Sequence, residues 1–181
     1  MSFLDLAISR ESVREYKKGA LINRADLTSC VEAARLAPSA CNSQPWKFIV
    51  VDSPDLVERI PHEVLSGAYK MNSFARGASA FIVITSEKIK AAAWAGGKLM
   101  RTDFRRIDIG IACAHLVLEA EDLGIGTCIL GWFNKRRLKK MLSIPRSSKI
   151  ELLISLGYPL TASKRQKRRK PPKETVAFNQ Y

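Results

Sequence analysis

Residues 37–51 read APSACNSQPWKFIVV. Pro38 cannot continue the helix whose apolar face, Leu27, Cys30, Val31, Ala34 and Ala37, leads up to it. Small polar residues follow, and Pro45-Trp46 then open a β-rich run that lasts to Val51. The stretch predicts a helix end, a tight polar loop and a strand entry in quick succession. Ser39, Asn42 and Gln44 offer short polar groups beside free backbone amides, which is how the rim of a ligand site is built. An ordinary polar loop next to a structural Trp46 fits the same residues.

Working outward, Phe3 to Ser9 reads as a short helix, and Asn23 caps a second helix with Asp26 three residues later. Downstream, Ser53-Pro54 opens a helix toward Ile60, and AFIVIT at 80–85 is a buried strand. From Ile107 to Leu123 the apolar positions Ile109, Ala112, Cys113, Leu116, Val117, Ala120 and Leu123 keep the helical period over more than four turns. This is the central helix. Gly124 and Gly126 end it, GTCILGWF gives a third strand, Asn134 caps a helix to Leu142, and IELLISLGYP is a fourth strand. Helices and strands alternate with irregular connections, so the expectation is an α+β fold, a mixed sheet flanked by helices.

A chain of 181 residues with 46% apolar and 26% charged residues suits one globular domain, taken as 1–181. No apolar run is long enough to cross a bilayer, and MSFLDLAISRESV lacks the basic-then-apolar order of a leader. The expectation is a cytoplasmic protein with no membrane partner. Cys30, Cys41, Cys113 and Cys128 form no CxxC pair, so free thiols and no metal site are expected. Net charge is +13, and residues 161–181 carry seven Lys or Arg against Glu174 alone. Such an excess attracts polyanions in general. For KRQKRRK at 164–170 a solvated charge run comes first and a nucleic-acid patch second, since base-stacking aromatics are not interleaved with it.

Two further clusters carry chemistry. In SRESVREY at 9–16, Arg10, Ser12 and Arg14 can converge two guanidinium groups and a hydroxyl on one anion, and bidentate arginine suits phosphate. A solvated helix end is the bland alternative. In GIGTCILGW at 124–132, a glycine-flanked strand reaches Gly131, where a flat ligand can approach the backbone with no Cβ in its way. Glycines of this kind also simply let two chains pack closely.

Together, RxSxR at 10–14, APSAxNxQPW at 37–46, GxGTCxxG at 124–131 and GYP at 157–159 followed by RKP at 169–171 resemble the FMN-dependent nitroreductase family. The resemblance spans nearly the whole chain, and APSAxNxQPW is its most specific part. It implies an interlocked homodimer with two FMN molecules at the interface and the basic extension 161–181 packed on the partner. Arg10, Ser12 and Arg14 look like the phosphate and pyrimidine-side contacts, with Arg169 and Lys170 as a second phosphate clamp. Pro38, Ser39 and Asn42 come from the opposite protomer, and Leu130 and Gly131 present backbone N–H to flavin N5. The small residues at 39–42 then have a reason: a planar ring and its ribityl chain lie against them.

The same resemblance implies NADH or NADPH as donor, a small aromatic acceptor such as a nitroaromatic or quinone, ping-pong turnover, and no side chain acting as acid or base. Positive charge at the N1 and O2 edge, with Arg14 as candidate, favours the reduced flavin. The chain departs from the pattern at Glu11, where a further basic residue is common, and in the short connection between AFIVIT and the central helix. Trp94 is a candidate lid or an ordinary tryptophan; His115 reads as an interface or core residue and Cys128 as a small apolar one. The alternatives are a specialised flavoenzyme of the same fold (dehydrogenase, dehalogenase or protein-fed reductase) and a basic nucleic-acid adaptor with a vestigial flavin pocket.

Overall fold

The computed structural model describes residues 2–87, 94, 96, 97, 99–162 and 164–181. Its elements are α1 (Phe3–Ser9), α2 (Arg24–Arg35), β1 (Trp46–Val51), α3 (Pro54–Glu63), β2 (Ala80–Ser86), α4 (Phe104–Asp122), β3 (Gly126–Leu130), α5 (Lys135–Met141) and β4 (Lys149–Gly157). Short 3-10 segments occupy Ala40–Asn42, Gly67–Gly77 and Pro172–Glu174. The strands form one sheet in the order β1-β2-β4-β3 with all three pairings antiparallel. Its parallel component is a single bridge, Ser12 to Thr127.

The sheet is covered on both sides, and strand periodicity sorts the side chains between the layers. Ala80, Ile82 and Ile84 of β2 pack with α2 and α4, while Phe81 and Val83 pack on the opposite face with α3. β2 is therefore buried along its whole length. In β4, Ile154 and Leu156 face α4 while Ile150 and Leu153 face the other layer. Ile150 changes sides because the register slips between Ile84 and Thr85, a bulge that inverts the pleat beyond it. α4 contributes Ile109, Ala112, Cys113, Leu116, Val117 and Ala120 to the core, as the helical period predicts.

The caps follow from local chemistry. Ser2 and Asp5 form a capping box at α1, the Asn23 side chain accepts from the Ala25 N–H, and the Asn134 side chain accepts from the Arg137 N–H. Ser53 precedes Pro54 but forms no side-chain cap. β3 ends at Leu130, three residues before the GTCILGWF run does, and Gly131 and Trp132 turn outward into solvent. No described helix is long and apolar enough to cross a membrane.

Candidate functional site

The N-terminal cluster is seated by two glycines. Val13 N–H donates to the Thr127 carbonyl at 2.9 Å, and Lys17 N–H to the Tyr158 carbonyl at 2.9 Å, so residues 12–17 run along the ends of β3 and β4. A Cβ on Gly126 would stand 2.7 Å from Val13 Cγ2, and one on Gly157 would stand 2.7 Å from Tyr16 Cδ1. Only glycine at both positions lets the segment lie so close. Val13 and Tyr16 turn inward, and the Tyr16 hydroxyl bonds Ser155 Oγ at 2.9 Å and donates to the Val13 carbonyl at 3.0 Å. Burial pushes that phenol well above its ordinary pKa. The alternation leaves Arg14 exposed.

The basic tail returns to this cluster. Arg165 Nε donates to Glu11 at 2.9 Å and its Nη2 to the Ser12 carbonyl, while Lys167 Nζ donates to the Ala7 carbonyl at the end of α1. Lys164 pairs with Glu121 of α4 at 2.6 Å. Between α1 and residues 164–169 lies a cleft of about 750 Å³ lined in part by Ser9, Lys167 and Arg169. Lys167 has its pKa lowered by desolvation and by the nearby positive charges of Arg10 and Arg169. Arg10 and Arg169 thus bring positive charge to Lys167 from the two ends of the chain, Glu121 and Glu11 offset part of it, and a bound anion would offset the rest. Lys170 is exposed and is not among the residues lining that cleft.

Glu11, the departure in the N-terminal motif, is half-buried against Arg165. It cancels one tail arginine and holds the tail to the strand ends. Lys167 and Arg165 escape sequence reasoning because their partners lie 160 and 154 residues away.

Gly131 is exposed, and a Cβ built there meets no atom within 4 Å. The space in front of the backbone after Leu130 is open. The segment Gly67–Gly77 walls it: Asn72 Nδ2 donates to the Trp132 carbonyl at 2.7 Å, and Trp132 Nε1 donates to the Ala68 carbonyl at 3.2 Å. The Tyr69 and Trp132 rings are 5.4 Å apart. Arg14 lies 5.8 Å from the centre of the Phe74 ring, a cation–π contact that fixes its guanidinium to the same segment. Arg14 and Trp132, the residue after Gly131, therefore share one scaffold, the segment Gly67–Gly77.

The loop at 38–44 is strained. Cys41, Asn42 and Gln44 all adopt left-handed backbone, at φ of 52°, 50° and 47°. Hydrogen bonds hold it there: Gln44 N–H donates to Ser39 Oγ at 2.9 Å, and Gln44 Nε2 to Asn42 Oδ1 at 2.9 Å. The Ala40 N–H donates to the Asp108 carboxylate at 3.2 Å, which ties the loop to α4. Burial pushes the Asp108 carboxyl above its ordinary pKa, and the Ala40 bond works against that rise. Pro38 and Asn42 are exposed and Ser39 is half-buried. Within the chain the loop is anchored to α4, whereas Arg10, Ser12 and Arg14 lie at the strand ends.

Cys41 is the only exposed cysteine; Cys30, Cys113 and Cys128 are buried. Burial pushes the Cys30 and Cys113 thiols up to about 12. Thiolate is the reactive form, so Ellman's reagent at neutral pH should find one fast thiol per chain and four after denaturation. Replacing Cys41 with serine should remove the fast phase; a second fast thiol would contradict the packing described. His115 bonds the Ala33 carbonyl at 3.3 Å through Nδ1 and joins α4 to α2. Trp94 is exposed, and most of the residues around it lie outside the described set.

Residues 7–158 match the model of the nitroreductase family. A protein of Archaeoglobus fulgidus provisionally named NADH dehydrogenase/NAD(P)H nitroreductase is 31% identical over 162 residues, 86% of this chain and 84% of its own length. The iodotyrosine deiodinase of Thermotoga neapolitana is 25% identical over 86% of this chain and 87% of its own. Among solved structures, an FMN-dependent nitroreductase of Clostridium difficile R20291 superposes with a TM-score of 0.76 at 25% identity, covering 99% of this chain and 100% of that one. This chain belongs to the nitroreductase family.

Proposed function

We propose that the protein is a homodimeric, FMN-dependent oxidoreductase that takes electrons from NADH or NADPH and passes them to a small aromatic acceptor of the nitroaromatic or quinone kind. The observation that carries this reading is that the basic tail folds back on α1, where Lys167 and Arg169 line one cleft with Ser9, next to Arg10, while the backbone at Gly131 is open. A dianionic phosphate suits the cation cluster, and a flat ring suits an opening with no Cβ in it. The residues present fit the cofactor named for the Clostridium relative.

In this reading Arg10, Arg169 and Lys167 would hold the phosphate, with Ser12 as a further donor. Arg14, braced on Phe74, would place positive charge at the pyrimidine edge, and the amides at Leu130 and Gly131 would face N5. Pro38, Ser39 and Asn42 of the second copy would cover the ring; the left-handed backbone and the Asp108 tether pre-shape that turn, so little order is lost on binding. When bound, FMN supplies two-electron transfer, and the protein binds and stacks the reactants without a side-chain acid or base. Phe3 on α1, 72% exposed, and Phe178 on the tail, 86% exposed, are apolar surface of the kind a second copy covers.

The test is spectroscopic. Purified protein should carry flavin absorbance that bleaches under anaerobic NADH or NADPH and returns on adding a nitroaromatic or quinone. Colourless protein that ignores added FMN refutes the reading. A second reading, reductive dehalogenation by the same fold, is favoured by the deiodinase relative. It predicts slow steady-state turnover with both nicotinamides and rapid turnover of a haloaromatic under chemical reductant.

A further inference from the structure

A second concentration of positive charge lies apart from this site. Helix α5, the turn after it and the start of β4 enclose a cleft of about 990 Å³. Seven lysine and arginine side chains line it, and among the described residues no acidic one does. None of its lining residues belongs to the candidate flavin site.

Several of these cations are held in place by the protein. Lys139 Nζ donates to the Arg146 carbonyl at 3.0 Å and pins the turn to the helix, and Arg137 Nη1 donates to the Glu63 carbonyl at 3.1 Å. Lys149 pairs with Glu151 at 3.0 Å. Arg136, Lys140 and Arg146 have no ion pair among the described residues. Beneath them, Ile144 and Ile150 are buried and form an apolar floor. Like charges gathered from three elements repel one another, and the field inside a concave site concentrates that effect. A counter-anion in the cleft removes it.

We propose that this cleft binds a compact polyanion that joins clustered phosphate-type charge to an apolar portion, a ligand of the size and chemistry of a nucleoside polyphosphate. The volume lies at the upper end of the range of small-molecule sites, about 300–1,000 Å³. The cations line a concave cleft, which suits a short charged chain; a nucleic-acid backbone needs a long exposed track. The floor at Ile144 and Ile150, together with the methylene stems of the surrounding lysines and arginines, gives an apolar group something to rest on. This site is independent of the flavin reading.

Calorimetric titration of the full chain with ATP as the probe, at near-physiological salt and with and without saturating FMN, tests it. The expected result is one ATP per chain, unaffected by FMN, with inorganic triphosphate binding more weakly because it leaves the floor uncovered. Arg136→Glu combined with Lys140→Glu should weaken ATP binding about tenfold or more, leaving flavin content unchanged and the melting temperature no lower, since it relieves like-charge repulsion. The milder pair Arg136→Gln and Lys140→Gln should act in the same direction and serves if charge reversal harms folding. Absence of saturable ATP binding, or full binding by both pairs, overturns the proposal. So does a short DNA duplex that displaces ATP with a steep salt dependence, which assigns the cleft to nucleic acid. Loss of the ATP signal on adding FMN would also overturn it, by placing the probe in the flavin site.

Discussion

Replacing Arg10 and Arg169 together by alanine is expected to leave the purified protein colourless. Each arginine supplies charge-assisted hydrogen bonds of about 1.5–3 kcal/mol, so each single change should weaken FMN retention by roughly ten- to a hundredfold. In the pair the loss compounds, because Lys167 alone would then face the phosphate from a partly desolvated position. Lys170 is the internal comparison. It is exposed beyond the cleft, and Lys170→Ala should change retention far less than Arg169→Ala. Flavin fluorescence recovered on dilution reads all four proteins, and unaltered retention in the Arg10 and Arg169 variants would refute the phosphate assignment.

Gly126→Ala should be the most damaging single methyl addition near the site. The new Cβ would stand 2.7 Å from Val13 Cγ2, 2.9 Å from Val13 Cβ and 3.0 Å from Pro159 Cγ. Overpacking of this kind costs about 1–3 kcal/mol, which for a chain this long lowers the melting temperature by about 2–4 °C per kcal/mol. The clash falls on the bridge that carries Ser12, so flavin affinity should fall with stability. Combining Gly126→Ala with Val13→Ala should restore part of both, since the second change removes the group struck. Equal instability of the single and double variants would show that close approach at Gly126 is not what seats the cluster.

Much of the fold is legible in local pattern. Trp46–Val51 and the helix at 3–9 are bounded where proline, caps and period place them, and α4 keeps its apolar stripe. α4 begins at Phe104, three residues before Ile107, because Phe104, Arg105 and Arg106 extend the helix without extending the stripe. The job of the segment Gly67–Gly77 is set by contacts from Asn72 and Ala68 to Trp132, about sixty residues away. Its role is therefore invisible to local reading. The same holds for Asp108, which anchors the 38–44 loop across 68 residues, and for Lys167, which reaches back to α1. Ser12 falls beside Thr127 at the start of β3, whereas Leu130 and Gly131 stand at and just beyond the other end of that strand. Five of the seven charges of the basic cleft stand together in the sequence as KRRLKK at 135–140, and folding adds Arg146 and Lys149 to them.

Titration of FMN into flavin-stripped protein, followed by fluorescence quenching and sedimentation on the same samples, decides whether two chains together build the flavin site. Saturation at one FMN per chain in a particle of two chains is the predicted result. A particle of one chain that saturates, or a dimer that leaves FMN fluorescence unchanged, would contradict it.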